Sequence, residues 1–345
     1  MLYNLPIESL EERYSAQWNI GFPGEYNRLG VRFTTVYPGG LGGDAANTIT
    51  RGQFLDVVRT NEFKSLQMAQ MMWYFDRANV QDNDVIFLHD LWNPCLEMLF
   101  YVRNGLGINF KIAGMLHAGT YDPHDFLTQR GMAQWAAPIE AAWLSEVDLV
   151  FVATQYHRDL LLSSRAVPAD HIVVSGFPLF QRPHVIPPSD KENIVVFPHR
   201  LAPEKGIDVF DELKTALWAR LPGWKFVRTK DACKNKKEYY DLLWRSKVAV
   251  SCALQETWGI AQQEALFHRC IPVVPYRLSY KELYPRLYQY ETTALAAEKL
   301  VYFAENYDWM VRDTPFLDTV DICYQKSRMA VPTMIYTMRE RGWHA

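Results

Sequence analysis

The sequence predicts an α/β protein made of two Rossmann-like, doubly wound parallel-sheet domains facing a cleft. Short apolar runs rich in β-branched residues alternate with helix-period stretches, as βαβ units require. One proline-rich break interrupts this series, which then restarts. A length of 345 residues suits two domains or one large one.

Taken in order, the first strand candidates are VRFTTVYP (31–38), DVIFLHD (84–90), FKIAGMLHA (110–118), VDLVFVAT (147–154) and HIVVSG (171–176). Their near-continuous apolar character fits strands buried on both faces. Helical patterns fall around 8–20, 51–78, 94–104, 133–145 and 154–163. The stretch FPLFQRPHVIPPSDKEN (177–193) holds four prolines and few apolar anchors, and reads as the join. Beyond it come NIVVFPHR (193–200), a helix over about 206–220, WKFVRTK (224–230), a helix near 236–246, KVAVSCA (247–253), a helix from about 258, and IPVVPY (271–276). The last part of the chain reads mainly as helix. The expected domains are 1–180, a linker over 181–192, and 193–345 with its last helices packing back on the N-terminal domain.

Composition is that of an ordinary globular protein, 49% apolar and 22% charged. No apolar run approaches the roughly 20 residues needed to span a bilayer. The opening MLYNLPIESLEERY lacks a basic-then-apolar leader, so a cytoplasmic protein is expected. Five scattered cysteines without a CxxC pair point to a reducing compartment and no zinc site. Residues 1–190 carry 13 Lys/Arg against 20 Asp/Glu, and residues 191–345 carry 23 against 19. The second half therefore suits an anionic ligand better.

The chemistry concentrates in two strand-turn-helix segments. In VVFPHRLAPEKGIDVF (195–210) Arg200 and Lys205 stand in the turn, with Gly206 before the helix. Two cations at the carboxyl end of a strand suit a diphosphate, Arg as a fork and Lys as a point charge. In SCALQETWGIAQQEAL (251–266) Glu256 lies in the turn and Glu264 almost two turns into the helix. Gly259 permits close backbone approach there, and helix N-terminal amides favour an anion.

Together these segments, R-x4-K-G at 200–206 and S-x4-E-x2-G-x4-E-A at 251–265, followed by IPVVPY, resemble the second domain of GT-B retaining glycosyltransferases of the E-x7-E, family 4-like class. The resemblance implies transfer of a sugar from a UDP- or GDP-sugar with retention, and no metal or other cofactor. It implies that Arg200, Lys205 and Gly206 hold the donor diphosphate. Glu256 would contact the donor sugar, Glu264 the ribose, and the backbone of Trp258, Gly259 and Ile260 the sugar and phosphate. A histidine near the reacting centre is also implied. His117 in LHAGTYDPHD is the candidate and His89 in LHDLWNP its competitor. The Gly-rich loop YPGGLGGDAANT, with Gly39, Gly40, Gly42 and Gly43, and Trp92 complete the acceptor side. Asp82 and Asp84 form a D-x-D pattern but precede their strand, so a polar turn is expected there.

For the acceptor, residues 236–266 and PHR (198–200) also resemble tRNA-queuosine mannosyltransferases. LPIESLEERYSAQW (5–18) resembles short phage-encoded glycosyltransferases, some of them linked with sugar addition to hydroxymethylated pyrimidines in DNA. Modified DNA is the favoured expectation, with tRNA, a glycan or small molecule, and a non-catalytic nucleotide-sugar binder as alternatives. The acidic first half argues against a broad phosphate surface. Arg13, Arg28, Arg32, Arg51 and Arg59 form a candidate local strip, and Trp18, Tyr37 and Trp92 are candidate stacking rings.

Overall fold

The structure, a computed structural model, describes residues 1–9, 14–38, 56–77, 79–185 and 190–345. The chain divides into two compact units. Unit 1 comprises Met1–Phe180 with Arg328–Ala345, and unit 2 comprises Gln181–Ser327.

Unit 1 holds a six-stranded parallel sheet of β1 (Leu2–Leu5), β2 (Phe33–Thr35), β3 (Val85–Leu88), β4 (Lys111–Met115), β5 (Leu149–Val152) and β6 (Ile172–Val174). The spatial order is β2-β1-β3-β4-β5-β6, so the winding reverses between β1 and β3. Every residue of β1, β3 and β5 is buried, as strands covered by helices on both faces must be.

Two elements here differ from expectation. β1 was not foreseen, because LYNL is too short and too near a polar run to stand out. The helix expected over 8–20 is Ser15–Arg28, continuing through Gly21, Pro23 and Gly24. Trp18, Phe22 and Tyr26, spaced i, i+4, i+8, are its buried stripe and outweigh the helix breakers. Gly21 is required there, since a Cβ would lie 2.3 Å from the Phe180 ring.

Unit 2 holds a five-stranded parallel sheet of β7 (Glu192–Phe197), β8 (Lys225–Arg228), β9 (Ser246–Val250), β10 (Ile271–Pro275) and the short β11 (Gln289–Tyr290). Its order is β11-β10-β9-β7-β8, with the reversal between β7 and β9. Ile194, Val196, Leu242, Leu243, Ala249 and Ala265 pack together on one face of this sheet.

Part of the expected linker is bonded to unit 2. The His184 amide donates to the Phe267 carbonyl (2.9 Å), and the Arg269 guanidinium donates to the Val185 carbonyl (2.8 Å). The helix Thr314–Glu340 starts in unit 2 and ends in unit 1. In unit 1 Arg339 donates to the Leu29 carbonyl (3.2 Å) and the His344 amide to the Asn83 carbonyl (2.8 Å).

Candidate functional site

In a doubly wound sheet the loops on either side of the reversal diverge and leave a crevice at the carboxyl ends of the strands. In unit 2 those loops are residues 198–206 after β7 and 251–259 after β9, which fall in the two segments singled out by sequence. They are stitched together directly. The Leu254 amide donates to the Glu204 carbonyl (2.8 Å), and Arg277, from beyond β10, donates to the carbonyls of Cys252 (3.0 Å) and Ala253 (2.9 Å). Gly206 has φ +70°, and a Cβ on it would lie 2.5 Å from the Cys252 carbonyl oxygen. Glycine is thus demanded twice, by dihedral and by space.

Lys205 lies at the centre of this arrangement, 6% exposed. Its ammonium donates to the Gln255 carbonyl (2.7 Å) and to Gln255 Oε1 (3.2 Å), and it pairs with Glu256 Oε2 at 3.3 Å. The other carboxylate oxygen, Glu256 Oε1, accepts from the Gly259 amide at 2.9 Å. Gly259 itself takes φ +74°, and the helix Ile260–Phe267 begins after it. Burial works to raise the Glu256 pKa, but Lys205 and the Gly259 amide outweigh it, so the group stays below the usual carboxylate range. Glu256 is therefore an anion at neutral pH.

Arg200 sits at the rim, its side chain 34% exposed, and its Nε donates to Glu204 Oε1 at 3.0 Å. Behind the charges lies a buried polar chain that sequence reasoning missed. His199 Nε2 meets Ser251 Oγ (2.9 Å), Ser251 Oγ meets the Tyr280 hydroxyl (2.8 Å), and the Tyr290 hydroxyl donates to the Ser251 carbonyl (2.8 Å). Burial, reinforced by Lys205, pushes the His199 pKa down to about 3, so the ring is neutral. Trp258 is 2% exposed and its indole N–H has no partner in the structure.

The structure brings Arg200, Lys205, Gly206, Glu256, Trp258, Gly259 and Ile260 onto these two loops and the helix start. Glu264 does not join the Lys205–Glu256 contact. It is 2% exposed, and its carboxylate takes hydrogen bonds from Lys236, Tyr239 and Tyr240.

Unit 1 places the two histidine candidates differently. His89, directly after β3, is 0% exposed. Its Nε2–H donates to Asn4 Oδ1 (2.7 Å), Nδ1 has no partner, and burial holds the pKa down to about 3. It is packed within the core of unit 1. His117, after β4, is half-buried. Its Nε2–H donates to the His89 carbonyl (2.7 Å) and its Nδ1 lies 3.0 Å from the Tyr14 hydroxyl.

Trp92 donates to Glu140 (3.1 Å) and lies against Trp135 and Trp143 in the wall of an apolar groove of about 490 Å³. Trp18 is wholly buried. Gly39, Gly40, Gly42, Gly43, Arg13 and Arg51 lie outside the described residues. Arg28 and Arg59 of the proposed strip pair with Glu25 (2.6 Å) and Glu62 (2.7 Å). Asp84 and Asp82 knit a turn, accepting from the amides of Gln81 (3.1 Å) and Asn109 (2.7 Å) respectively. Among the described residues no group of three or more His, Cys, Asp or Glu could hold a metal, and no helix is long and apolar enough to cross a membrane.

No family profile matches the chain. A stretch of 69 residues is 35% identical to the tRNA-queuosine alpha-mannosyltransferase of Drosophila melanogaster, covering 20% of this chain and 18% of that protein. Sucrose-phosphate synthase from Thermosynechococcus elongatus superposes over 98% of both chains with a TM-score of 0.69 at 12% identity. A UDP-forming α,α-trehalose-phosphate synthase from Burkholderia vietnamiensis does so over 99% of both, with 0.65 at 12% identity. TarM of S. aureus, solved with UDP, matches 78% of this chain with 0.58 at 14% identity, and the chain spans only 57% of its length. At such identities the likeness is one of fold, and the fold is GT-B.

Proposed function

We propose that the chain is a retaining glycosyltransferase that moves a sugar from a nucleoside-diphosphate sugar to a hydroxyl. One observation carries the reading: the buried Lys205–Glu256 pair at the strand-order reversal of unit 2, with Arg200 at its rim. In the reaction the bond from the anomeric carbon to the diphosphate breaks and a bond to the acceptor oxygen forms on the same face. The acceptor proton passes to the departing phosphate. Negative charge grows on that phosphate, where Arg200 and the amides at the start of the helix Ile260–Phe267 would stabilise it selectively. Lys205 joins them in this role while fixing Glu256, whose carboxylate is held ionised to accept from donor-sugar hydroxyls. Glu264 serves the ribose. His117, the more exposed of the two candidates, serves the acceptor side.

UDP in the TarM structure supports a nucleotide-sugar donor, UDP- or GDP-linked here. The acceptor assigned from the sequence is a hydroxymethylated pyrimidine in DNA. Queuosine-bearing tRNA is the second reading, favoured by the 69-residue match to a tRNA-queuosine mannosyltransferase. The test is nucleoside mass spectrometry after incubation with UDP- and GDP-sugars and four acceptors: plain DNA, hydroxymethylcytosine DNA, hydroxymethyluracil DNA and queuosine tRNA. A sugar-sized mass gain on one nucleoside, reduced at least about a hundredfold in Glu256→Gln, is the expected result. Donor hydrolysis without any gain would send the acceptor to glycans, and no donor turnover at all would sink the reading.

A further inference from the structure

Glu264 is a carboxylate with no room left. An ionised carboxylate offers about four acceptor positions, two on each oxygen. Here Oε1 accepts from Lys236 (2.8 Å) and the Tyr240 hydroxyl (2.8 Å), and Oε2 from Lys236 (3.0 Å) and the Tyr239 hydroxyl (2.9 Å). At 2% exposure nothing else reaches it from solvent. A ribose diol, which binds a carboxylate by donating two O–H groups, finds no acceptor position there.

The donor best placed to leave is Lys236. It is the first residue of the helix Lys236–Arg245, capped by Asn235 Oδ1 accepting from the Glu238 amide at 2.9 Å. A cation at that end faces the positive pole of the helix. What holds it is Glu264 itself and the ring faces of Tyr239 and Tyr240, 4.4 and 4.7 Å from the ammonium. Its side chain is already 17% exposed on a four-carbon stem, against 3% for that of Glu264. The tyrosine rings pack against the apolar cluster of unit 2, and that of Tyr240 stacks on His268, so they withdraw less easily.

We propose that Lys236 is a displaceable plug on Glu264: it occupies the carboxylate in the nucleotide-free protein and swings to solvent when the ribose hydroxyls of the donor take its place. The inference rests on the reading of Glu264 as the ribose ligand. It makes Lys236 a residue that sets donor affinity, and ribose recognition an exchange of one set of hydrogen bonds for another.

The test is calorimetric titration of UDP, GDP and their 2′-deoxy forms into the full chain, wild type and Lys236→Met. The wild type, which must evict the lysine, is expected to prefer the ribo form by only a few fold. Lys236→Met is expected to bind the ribo form about tenfold more tightly and to prefer it over the deoxy form by about tenfold or more. Tyr240→Phe, which removes one competing donor and keeps the charge, should move both quantities the same way by less, and serves if the methionine variant does not fold. Glu264→Gln should lose the preference. Unchanged or weaker ribo binding in the folded variant, or an equal gain for ribo and deoxy forms, overturns the plug while leaving nucleotide binding intact. No binding of any nucleotide to the wild type, by contrast, overturns the ribose reading itself.

Discussion

His89 in unit 1 and His199 in unit 2 stand at matching places, just past a strand that borders the reversal of its sheet. Both are buried, and burial lowers both pKa values to about 3. Their surroundings differ. His89 is enclosed by the rings of Trp18, Phe22 and Phe87 and donates to Asn4. His199 reaches Ser251 and lies near enough to Lys205 and Glu256 to feel both charges. A buried neutral histidine at the end of a strand therefore marks nothing by itself. Each of the two also has a Lys–carboxylate pair beside it, Lys64 with Asp90 at 3.0 Å and Lys205 with Glu256 at 3.3 Å. What sets the second apart is that its carboxylate also takes the Gly259 amide at a helix start, with Arg200 nearby.

The largest expected effect breaks that pair. Lys205→Met strands the buried Glu256 carboxylate, so stability should fall by about 3–5 kcal/mol. Donor turnover per folded molecule should drop by about 10³ or more. His89→Ala should cost stability too, yet leave turnover per folded molecule unchanged, and denaturant melts with rate assays separate the two.

Next comes acid. Below pH 6.5 the unfolded chain protonates its histidines while His89, His157 and His199, held near 3, do not. The unfolded state then binds more protons, so stability falls with pH through the window from 6.5 to about 3. The slope is about 1.4 kcal/mol per pH unit for each group. Glu256, whose folded pKa is depressed, adds its own loss only at the lower edge, as pH falls through that folded value. Urea melts across this range should show His89→Asn and His199→Asn each removing one histidine's share of the slope. A loss beginning only near the carboxylate range would contradict the neutral state of both rings.

The smallest effect sharpens the contrast within unit 1. His117→Ala should slow transfer by about tenfold at a modest cost in melting temperature, since its half-buried ring packs against Trp18 and Phe177 and donates to the His89 carbonyl. A large stability loss with unchanged rate would make it a second His89.

Periodicity and motif spacing carried much of this. The long apolar strands could be read because strands buried on both faces write themselves as continuous runs. β1 and β11, four and two residues long, leave too little sequence for that, and their places are set by their neighbours. The turn positions of Arg200, Lys205 and Glu256 were legible from the apolar strands before them, while their expected roles came from the resemblance of the R-x4-K-G and E-x7-E spacings. The chain His199–Ser251–Tyr280 was not, since its members come from three segments with no common spacing. The Lys236–Glu264 contact was hidden likewise, its partners 28 positions apart. Proline content marks the stretch 181–192 but not how it is held, which is set by main-chain bonds such as that from His184 to Phe267.

One feature of the architecture bears on how the molecule is made. Unit 1 is discontinuous: it takes the first 180 residues and then residues 328–345. A ribosome delivers all six strands of its sheet early and all of unit 2 before the segment that finishes unit 1. Unit 2 is thus free to complete its fold during synthesis, while unit 1 waits, with the Leu29 and Asn83 carbonyls still lacking Arg339 and the His344 amide. The nascent chain thus passes through a stage in which all of unit 2 is available and unit 1 still lacks residues 328–345.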